Sequence, residues 1–121
     1  MAAIVHVCMT CRAGQPVPEG SEPPGRLLHD ALTAGPAPEG VIIRPVECLS
    51  ACDHGCNIAI TKPGGWSYVY GRLTLEDVPE ILRGAALYAT APEGIVPWRE
   101  RPQIFRKQSL ARIPPMESPN D

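Results

Sequence analysis

The alternation of apolar and polar positions along the chain predicts four strands. Apolar runs at Ile4–Cys8 and Val41–Glu47, each bounded by turn residues, are typical of strands. Two further runs, Ile58–Thr61 and Trp66–Tyr70, flank the sequence Lys62-Pro-Gly-Gly65. Because glycine adopts the positive φ of a tight turn without steric cost, these two runs are expected to form a hairpin.

Apolar side chains at helical spacing predict two helices, over residues 22–34 and 75–89. The second helix is expected to begin at Thr74, with Asp77 completing a capping box, and Gly84 should weaken it slightly. The apolar faces are Leu27, Leu28, Ala31 and Leu32 in the first helix and Val78, Ile81, Leu82, Ala85 and Ala86 in the second. The order β-α-β-β-β-α indicates an α/β domain with a mixed four-stranded sheet and two helices.

The last part of the chain, residues 95–121, has five prolines and no helical or strand period, which predicts an extended C-terminal tail. Trp98, Ile104 and Phe105 in this tail are large apolar side chains, and their exposure to water would cost free energy. They are therefore expected to cover either the sheet of the same chain or a second subunit. The expected organisation is one domain over residues 1–94 and a Pro/Arg-rich extension over residues 95–121.

Length, charge and hydropathy exclude several classes of protein. A chain of 121 residues with 44% hydrophobic residues is long enough for one globular domain, and its net charge of −2 gives no general attraction for nucleic acid. No segment approaches the roughly 18 consecutive apolar residues of a membrane-spanning helix, and the N-terminus lacks a basic leader. The sequence predicts a cytoplasmic protein with neither a nucleic-acid partner nor a membrane partner.

The basic residues are unevenly distributed. Residues 1–94 have 6 basic and 10 acidic side chains, whereas residues 95–121 have 5 basic and 3 acidic ones. The basic side chains of the tail are expected to point outward and to form a docking patch for an acidic redox partner, since such a patch would accelerate its approach. The residues assigned to this docking patch are Arg99, Arg101, Arg106 and Lys107.

Five cysteines in two groups are the candidate chemistry of the chain: Cys8 and Cys11, then Cys48, Cys52 and Cys56. In a reducing cytoplasm, clustered cysteines are more often metal ligands or redox groups than structural disulfides. Thiolates are soft ligands that hold zinc or iron–sulfur clusters. The small and turn-forming residues among the last three cysteines would let backbone amides approach a cluster.

Other interpretations of the thiols stay open on spacing alone. Four thiolates also suit zinc, but zinc ribbons usually have two Cys-x-x-Cys knuckles followed by glycine, whereas here Arg12 follows Cys11 and three residues separate the second pair. Cys8 and Cys11 would suit a thioredoxin-like dithiol, which leaves the second group unexplained. The alternative without any chemical role is that all five cysteines are small buried apolar residues.

The second cysteine group lies in a segment that resembles the thioredoxin-like [2Fe-2S] ferredoxins, which include the small cluster-bearing subunit of NADH dehydrogenases. The matching features are the Cys48-Leu-Ser-Ala-Cys52 loop, a following strand, the Gly64-Gly-Trp66 turn and a final helix, within a match over residues 3–90. The resemblance implies a thioredoxin-like fold and a [2Fe-2S] cluster. The ligands that it implies are Cys8, Cys11, Cys48 and Cys52. Cys11 replaces a second ligand that the ferredoxins have further along the chain.

Two residues beside these ligands are candidate additional ligands. The Gly-Pro pair of the ferredoxins becomes Gly55-Cys56, which adds a fifth thiol beside the cluster. His54 lies between Cys52 and Cys56, and histidine is an iron ligand in Rieske centres. The simpler interpretation is that His54 faces solvent and that Cys56 does not bind the metal or only substitutes for another ligand, because four cysteines suffice.

The chain as a whole is similar to a family of small bacterial predicted metal-binding proteins. The shared features are the segments Val7-Cys-Met-Thr-Cys-Arg12 and Val96-Pro-Trp-Arg-Glu-Arg-Pro102. Genes of that family often accompany cobalamin-synthesis genes, so the resemblance implies a place in cobalamin biosynthesis. The related ferredoxins form dimers, which makes a homodimer a further expectation.

Three classes of function follow from these observations. The first is a [2Fe-2S] electron carrier that serves a cytoplasmic oxidoreductase and is not itself an enzyme, since the sequence has no phosphate-binding Gly-rich loop, HExxH motif or Ser-His-Asp arrangement. The alternative is a zinc- or cobalt-binding protein or metal chaperone without a redox role. A dithiol enzyme using Cys8 and Cys11 is the third. An iron–sulfur protein would be brown, whereas zinc and dithiol proteins would be colourless.

Overall fold

A five-stranded mixed sheet forms one layer of the fold. The computed structural model describes residues 3–10, 21–49 and 55–115. The strands are β1 (Ala3–Cys8), β2 (Val41–Val46), β3 (Ile58–Thr61), β4 (Ser67–Tyr70) and β5 (Ser109–Ile113). They lie in the order β2-β1-β3-β4-β5, with β1 and β2 parallel and the other neighbouring pairs antiparallel.

Helices connect the strands. The α-helices in the described ranges are α1 (Pro24–Thr33), α2 (Val78–Thr90) and α3 (Gln103–Lys107), and the 3₁₀ segments are Leu75–Asp77, Pro92–Gly94 and Trp98–Glu100. Both α1 and α2 have proline in the first turn, where a backbone N–H has no helical partner. None of the helices described is long and apolar enough to span a membrane.

One face of the sheet packs against α1 and α2. Val5 and Val7 of β1 and Ile58 and Ile60 of β3 are fully buried, and they join the apolar faces of both helices in one core. Successive residues of a strand point to opposite faces of the sheet. The alternate positions therefore lie on the other face, which is more open, as the 41% exposure of Ile42 illustrates.

The predicted α/β architecture with a mixed sheet is confirmed. The hairpin between β3 and β4 forms as expected, with Gly64 at a φ of +70°. The first helix begins at Pro24 and the second ends at Thr90, close to the predicted limits. The carboxylate of Asp77 accepts a hydrogen bond from the backbone N–H of Thr74 at 2.8 Å, as the capping pattern predicts.

The C-terminal segment is not the extended tail that the sequence predicts. It contains α3 and β5, so the sheet has five strands rather than four, and the described helices number three rather than two. β5 pairs with the free side of β4, with Val69 opposite Ala111. A five-residue strand with two large apolar side chains has too weak a period to be recognised from its own sequence. Its backbone hydrogen bonds are made with a strand that is distant in the sequence. The division at residues 94 and 95 stays a prediction.

Two of the three apolar side chains singled out in this segment are buried. Ile104 is 7% exposed and Phe105 is 3% exposed, and both belong to the main core. The ring of Phe105 stacks on that of Tyr70, with the ring centroids 4.1 Å apart. These contacts confirm that the segment covers the body of the chain through Ile104 and Phe105.

Of the two positions expected for Trp98, against the sheet of its own chain or against a second subunit, the first is not found. Its side chain is 58% exposed and lies beside the guanidinium of Arg101, which is 5.4 Å from the indole ring. Val96 and Pro102, on either side of the Trp98–Glu100 turn, are buried instead. The short 3₁₀ turn between them directs the indole outward. Contact of Trp98 with a second subunit stays a prediction.

Candidate metal centre

The carboxyl ends of the two parallel strands bring two of the predicted ligands to one edge of the sheet. Cys8 is the last residue of β1 and pairs with Val46, the last residue of β2. The pairing continues beyond the strands, because the N–H of Met9 donates to the carbonyl of Val46 at 2.8 Å. Cys48 follows Val46 by two residues. Cys8 and Cys48 therefore belong to the same end of two adjacent strands, which are about 4.8 Å apart.

Cys56 comes to this edge from the residues just before β3, the antiparallel neighbour of β1. The N–H of Cys8 donates to the carbonyl of Asn57 at 3.2 Å, and Cys56 directly precedes Asn57 at the entrance to β3. The three cysteines of the described ranges therefore share one edge of the sheet. We call it the thiol edge and define it by Cys8, Cys48 and Cys56.

The side chain of Cys8 is fully buried and lies among polar groups. Its Sγ is 3.9 Å from the carbonyl oxygen of Glu47 and 4.0 Å from the hydroxyl oxygen of Thr10. The Thr10 hydroxyl donates to the same carbonyl at 2.7 Å, which ties the turn after β1 to the turn after β2. Because its one proton points to Glu47, the Thr10 hydroxyl fixes the turn rather than donating to the sulfur. Cys48, by contrast, is exposed.

Cys56 faces the opposite side of the sheet from Cys8. It is 3% exposed and lines an apolar cavity of about 200 Å³ beside α1. The other lining residues are Pro24, Leu27, Leu28, Leu73, Thr74 and Leu75. The cavity beside α1 shows that Cys56 lies on the helix-covered face of the sheet. Strand alternation puts Cys8 on the other face with His6.

Three predicted site residues, Cys11, Cys52 and His54, lie outside the described residues. Among the residues that are described, no three Cys, His, Asp or Glu side chains meet in a geometry that would hold a metal ion. The described donors nevertheless have the chemistry of a thiolate site, because Cys8 and Cys48 are soft sulfur donors that belong to adjacent strand ends. The remaining two predicted ligands follow Cys8 and Cys48 closely in the sequence. The ligand roles of all four stay predictions.

His6, on the same strand as Cys8, is held by the sheet. Its Nε2 lies 2.9 Å from the hydroxyl oxygen of Thr61 on β3. Burial, and to a smaller extent the guanidinium of Arg44, lower the pKa of His6. The side chain is therefore a hydrogen-bonded group on the more open face of the sheet, where its charged form is disfavoured.

The four residues of the predicted docking patch differ in their surroundings. Arg99, Arg106 and Lys107 are exposed, as predicted. Arg101 is turned toward the body: its Nε donates to the carbonyl of Val96 at 2.7 Å, and its guanidinium lies over the ring of Tyr68. The Nε of Arg106 donates to the carbonyl of Arg101 at 3.1 Å.

A turn that no sequence pattern predicts closes the thiol edge on the side of β4. The N–H of Leu73 donates to the carbonyl of Cys56 at 3.0 Å. The side-chain amide of Gln108 donates to the carbonyls of Gly71 and Arg72 at 2.8 and 2.9 Å. Nothing local marks Gln108 in the sequence, because its partners are 37 and 36 residues away.

Comparison with solved structures identifies the same architecture in another protein. The chain is similar to a structure described as a thioredoxin-like [2Fe-2S] ferredoxin from Aquifex aeolicus, with a TM-score of 0.57 and 19% sequence identity. The likeness covers 97% of this chain and 98% of that one. At this identity the likeness concerns the fold, and it confirms the predicted thioredoxin-like architecture. No curated protein matches the chain.

Comparison with protein families gives one match over nearly the whole chain. The family is described as "Protein of unknown function (DUF1636)", and its profile matches residues 5–115. This range includes the thiol edge as well as the C-terminal strand β5. The chain therefore belongs to the DUF1636 family.

Proposed function

We propose that the chain is a [2Fe-2S] ferredoxin-like electron carrier that serves an oxidoreductase. The observation that carries this proposal is the position of Cys8 and Cys48 at the adjoining ends of the parallel strands β1 and β2. The fold likeness to a protein described as a thioredoxin-like [2Fe-2S] ferredoxin supports it. The cluster ligands in this proposal are Cys8, Cys11, Cys48 and Cys52.

The surroundings of the two described ligands suit this role. A bound [2Fe-2S] cluster would supply a one-electron redox group. Cys8 is buried, so its side of a bound cluster would be shielded from water. Cys48 is exposed, so the opposite side of the site would face a partner protein. A carrier needs both conditions, because it must shield the cluster from water and still exchange electrons at its surface.

Cys56 is proposed as a residue outside the ligand set. It faces the helix-covered side of the sheet, where apolar side chains surround it, whereas Cys8 faces the other side. His54 is proposed as a solvent-facing residue for the reason given by the sequence, namely that four cysteines suffice. Substitution of Cys56 should therefore leave the cluster in place.

The partner is proposed to be an oxidoreductase with an acidic surface. The exposure of Arg99, Arg106 and Lys107 supports this part of the proposal, and their attraction for an acidic surface would weaken as salt is added. The inward position of Arg101 gives it a supporting role in the same segment. A homodimer, a cytoplasmic location and a place in cobalamin biosynthesis stay predictions that rest on the sequence alone.

Metal analysis of the anaerobically purified protein tests the proposal. A [2Fe-2S] protein should contain two irons and two acid-labile sulfides per chain and should be brown. A colourless protein with one tightly bound zinc would contradict the electron-carrier proposal and support the zinc-binding alternative. Release of zinc or cobalt to a competing chelator within minutes would instead support a metal chaperone, because such a protein needs exchangeable ligands.

A further inference from the structure

The turn after β4 holds an arginine in a backbone conformation that is unfavourable for it. Arg72 has a φ of +54°, in the left-handed region that glycine and asparagine occupy far more readily than a residue with a long side chain. Its side chain is exposed. Residues in such conformations persist only where the surrounding structure fixes them, and they concentrate at functional sites.

Four hydrogen bonds fix this turn. The side-chain amide of Gln108 donates to the carbonyls of both Gly71 and Arg72. The N–H of Gly71 donates to the carbonyl of Gln108 at 2.9 Å, so the same residue holds the turn from its backbone as well. The N–H of Leu73 donates to the carbonyl of Cys56 at 3.0 Å. The conformation of Arg72 therefore depends on the C-terminal segment and on the thiol edge together.

The turn lies close to the predicted cluster ligands. One backbone hydrogen bond joins Leu73 to Cys56, and a second joins Asn57 to Cys8. Each step crosses one strand spacing of about 4.8 Å, which puts the turn about 10 Å from the end of β1. A charge on a side chain of this turn can act on the surface of the thiol edge at low salt, because the Debye length is about 30 Å at 0.01 M and about 10 Å at 0.1 M.

The guanidinium of Arg72 has no carboxylate beside it among the described residues, whereas those of two other arginines form ion pairs. Arg26 pairs with Glu22 and Arg83 pairs with Glu80. Within the described ranges, no carboxylate lies within ion-pair distance of Arg72. This side chain therefore presents a positive charge to solvent from a turn that is hydrogen-bonded to the thiol edge.

We propose that Arg72 recognises an anionic group of the redox partner, a carboxylate, and that Gln108 is the positioning residue that holds Arg72 for this contact. The inference rests on the electron-carrier function proposed above. Glycine at position 72 would make the turn more stable, because it adopts a positive φ at no steric cost. Binding of a partner by the guanidinium would explain why arginine occupies this position despite the lower stability. The planar guanidinium suits a carboxylate because it can donate two parallel hydrogen bonds.

Oxidation of the reduced protein by two small one-electron oxidants of opposite charge tests this inference. Hexacyanoferrate(III) and hexaammineruthenium(III) each take one electron from the reduced protein, and the ratio of their rates cancels any change in reduction potential. R72G should slow the anionic oxidant and accelerate the cationic one, so that the ratio falls about fourfold at low ionic strength. R112A is the charge-matched control, because Arg112 stacks on Trp66 at the far end of β4 and its loss should leave the ratio nearly unchanged.

Two further measurements separate recognition from a structural role. R72G should raise the thermal unfolding midpoint by about 2–5 °C, because glycine relieves the backbone cost. Q108L should lower the rate ratio in the same direction as R72G, and the double variant should resemble R72G alone. A ratio that changes equally in R72G and R112A, or an unfolding midpoint that does not rise in R72G, would overturn the inference.

The outcome also distinguishes this inference from the proposed function. A brown protein with an unchanged rate ratio in R72G would overturn the role of Arg72 alone. A colourless protein that takes up no iron would overturn the electron-carrier function, and the role of Arg72 with it.

Discussion

The ring of Phe105 occupies the space that a side chain at Gly84 would need. A Cβ at Gly84 would lie 2.6 Å from Cζ and 2.9 Å from Cδ2 of Phe105. The same ring stacks on Tyr70 of β4. Gly84 lowers the helix propensity of α2, but it leaves space for the ring of Phe105. That ring contacts both the helix and the sheet, and so it joins the C-terminal segment to them.

Substitution of this glycine should destabilise the protein. G84A would gain up to about 1 kcal/mol of helix propensity, but the overlap with Phe105 should cost about 1–3 kcal/mol, so the expected net loss is about 1 kcal/mol. Chemical denaturation measures it. F105A should cost about 3–5 kcal/mol, and in that background G84A should become stabilising, because the overlapping ring is gone. A G84A variant more stable than the wild type would contradict this account.

Lys62 should stabilise the carboxyl end of α2. Its Nζ donates to the carbonyls of Tyr88 at 3.0 Å and Ala89 at 3.4 Å, and also to that of Ala91. A positive charge at the end of a helix and hydrogen bonds to its last carbonyls are both favourable. K62M should therefore lower the free energy of unfolding by about 2 kcal/mol.

The only other lysine in the chain provides the control for that measurement. Lys107 is exposed at the end of the short helix α3, and K107M removes the same charge with the same change in side-chain length. We expect K107M to change the free energy of unfolding by less than about 0.5 kcal/mol. Equal effects of the two substitutions would mean that the contacts of Lys62 with α2 contribute nothing specific.

Tyr88 should make the protein less stable at high pH. Burial, followed by the neighbouring Tyr68, raises the pKa of Tyr88 to about 12 from its ordinary value of 10.0. Its hydroxyl donates to the carbonyl of Trp66 and keeps its proton in the folded state. As the pH rises, the unfolded state loses that proton first. The contribution of Tyr88 to the free energy of unfolding is therefore fully present below pH 10 and is lost between pH 10 and about 12.

Thermal unfolding across this range tests the contribution of Tyr88. Y88F should unfold at a lower temperature at neutral pH, because the hydrogen bond to Trp66 is lost. Its unfolding midpoint should also decline less steeply than that of the wild type between pH 10 and about 12. Parallel curves for the two proteins would show that Tyr88 does not titrate as described.

Serine substitutions should separate the cluster ligands from the remaining thiol. C8S and C48S should abolish or strongly shift the visible spectrum, and we expect the same of C11S and C52S. C56S should keep the spectrum, since Cys56 faces the apolar cavity beside α1. It serves as the matched control, because it also loses one thiol at the same sheet edge. Bleaching by C56S alone would mean that Cys56 is a ligand and that the set taken from the ferredoxin loop is wrong.

The parts of the fold that local sequence determines could be predicted. The hairpin at Gly64 and the capping of the second helix by Asp77 depend on residues within a few positions of one another. The ends of β1 and β2 were also predictable from local sequence, whereas the proximity of Cys8 and Cys48 was implied by the resemblance to the ferredoxins.

The remaining features depend on contacts between distant segments. β5 is a strand because β4 offers an unpaired edge, and the short run Ser109–Ile113 has little strand character of its own. The direction of Cys56 depends on how α1 and the Gly71–Leu73 turn pack around it. Gln108 could not be recognised for the same reason, since its partners are far away in sequence.

The electron paramagnetic resonance spectrum of the reduced protein, purified without oxygen, tests the central claim most directly. A [2Fe-2S] cluster takes up one electron, so dithionite should produce a signal from one unpaired electron per chain and partly bleach the visible bands. The same treatment of C8S should give no such signal, whereas C56S should match the wild type. A protein that contains zinc, has no visible bands and gives no signal after reduction would contradict the claim.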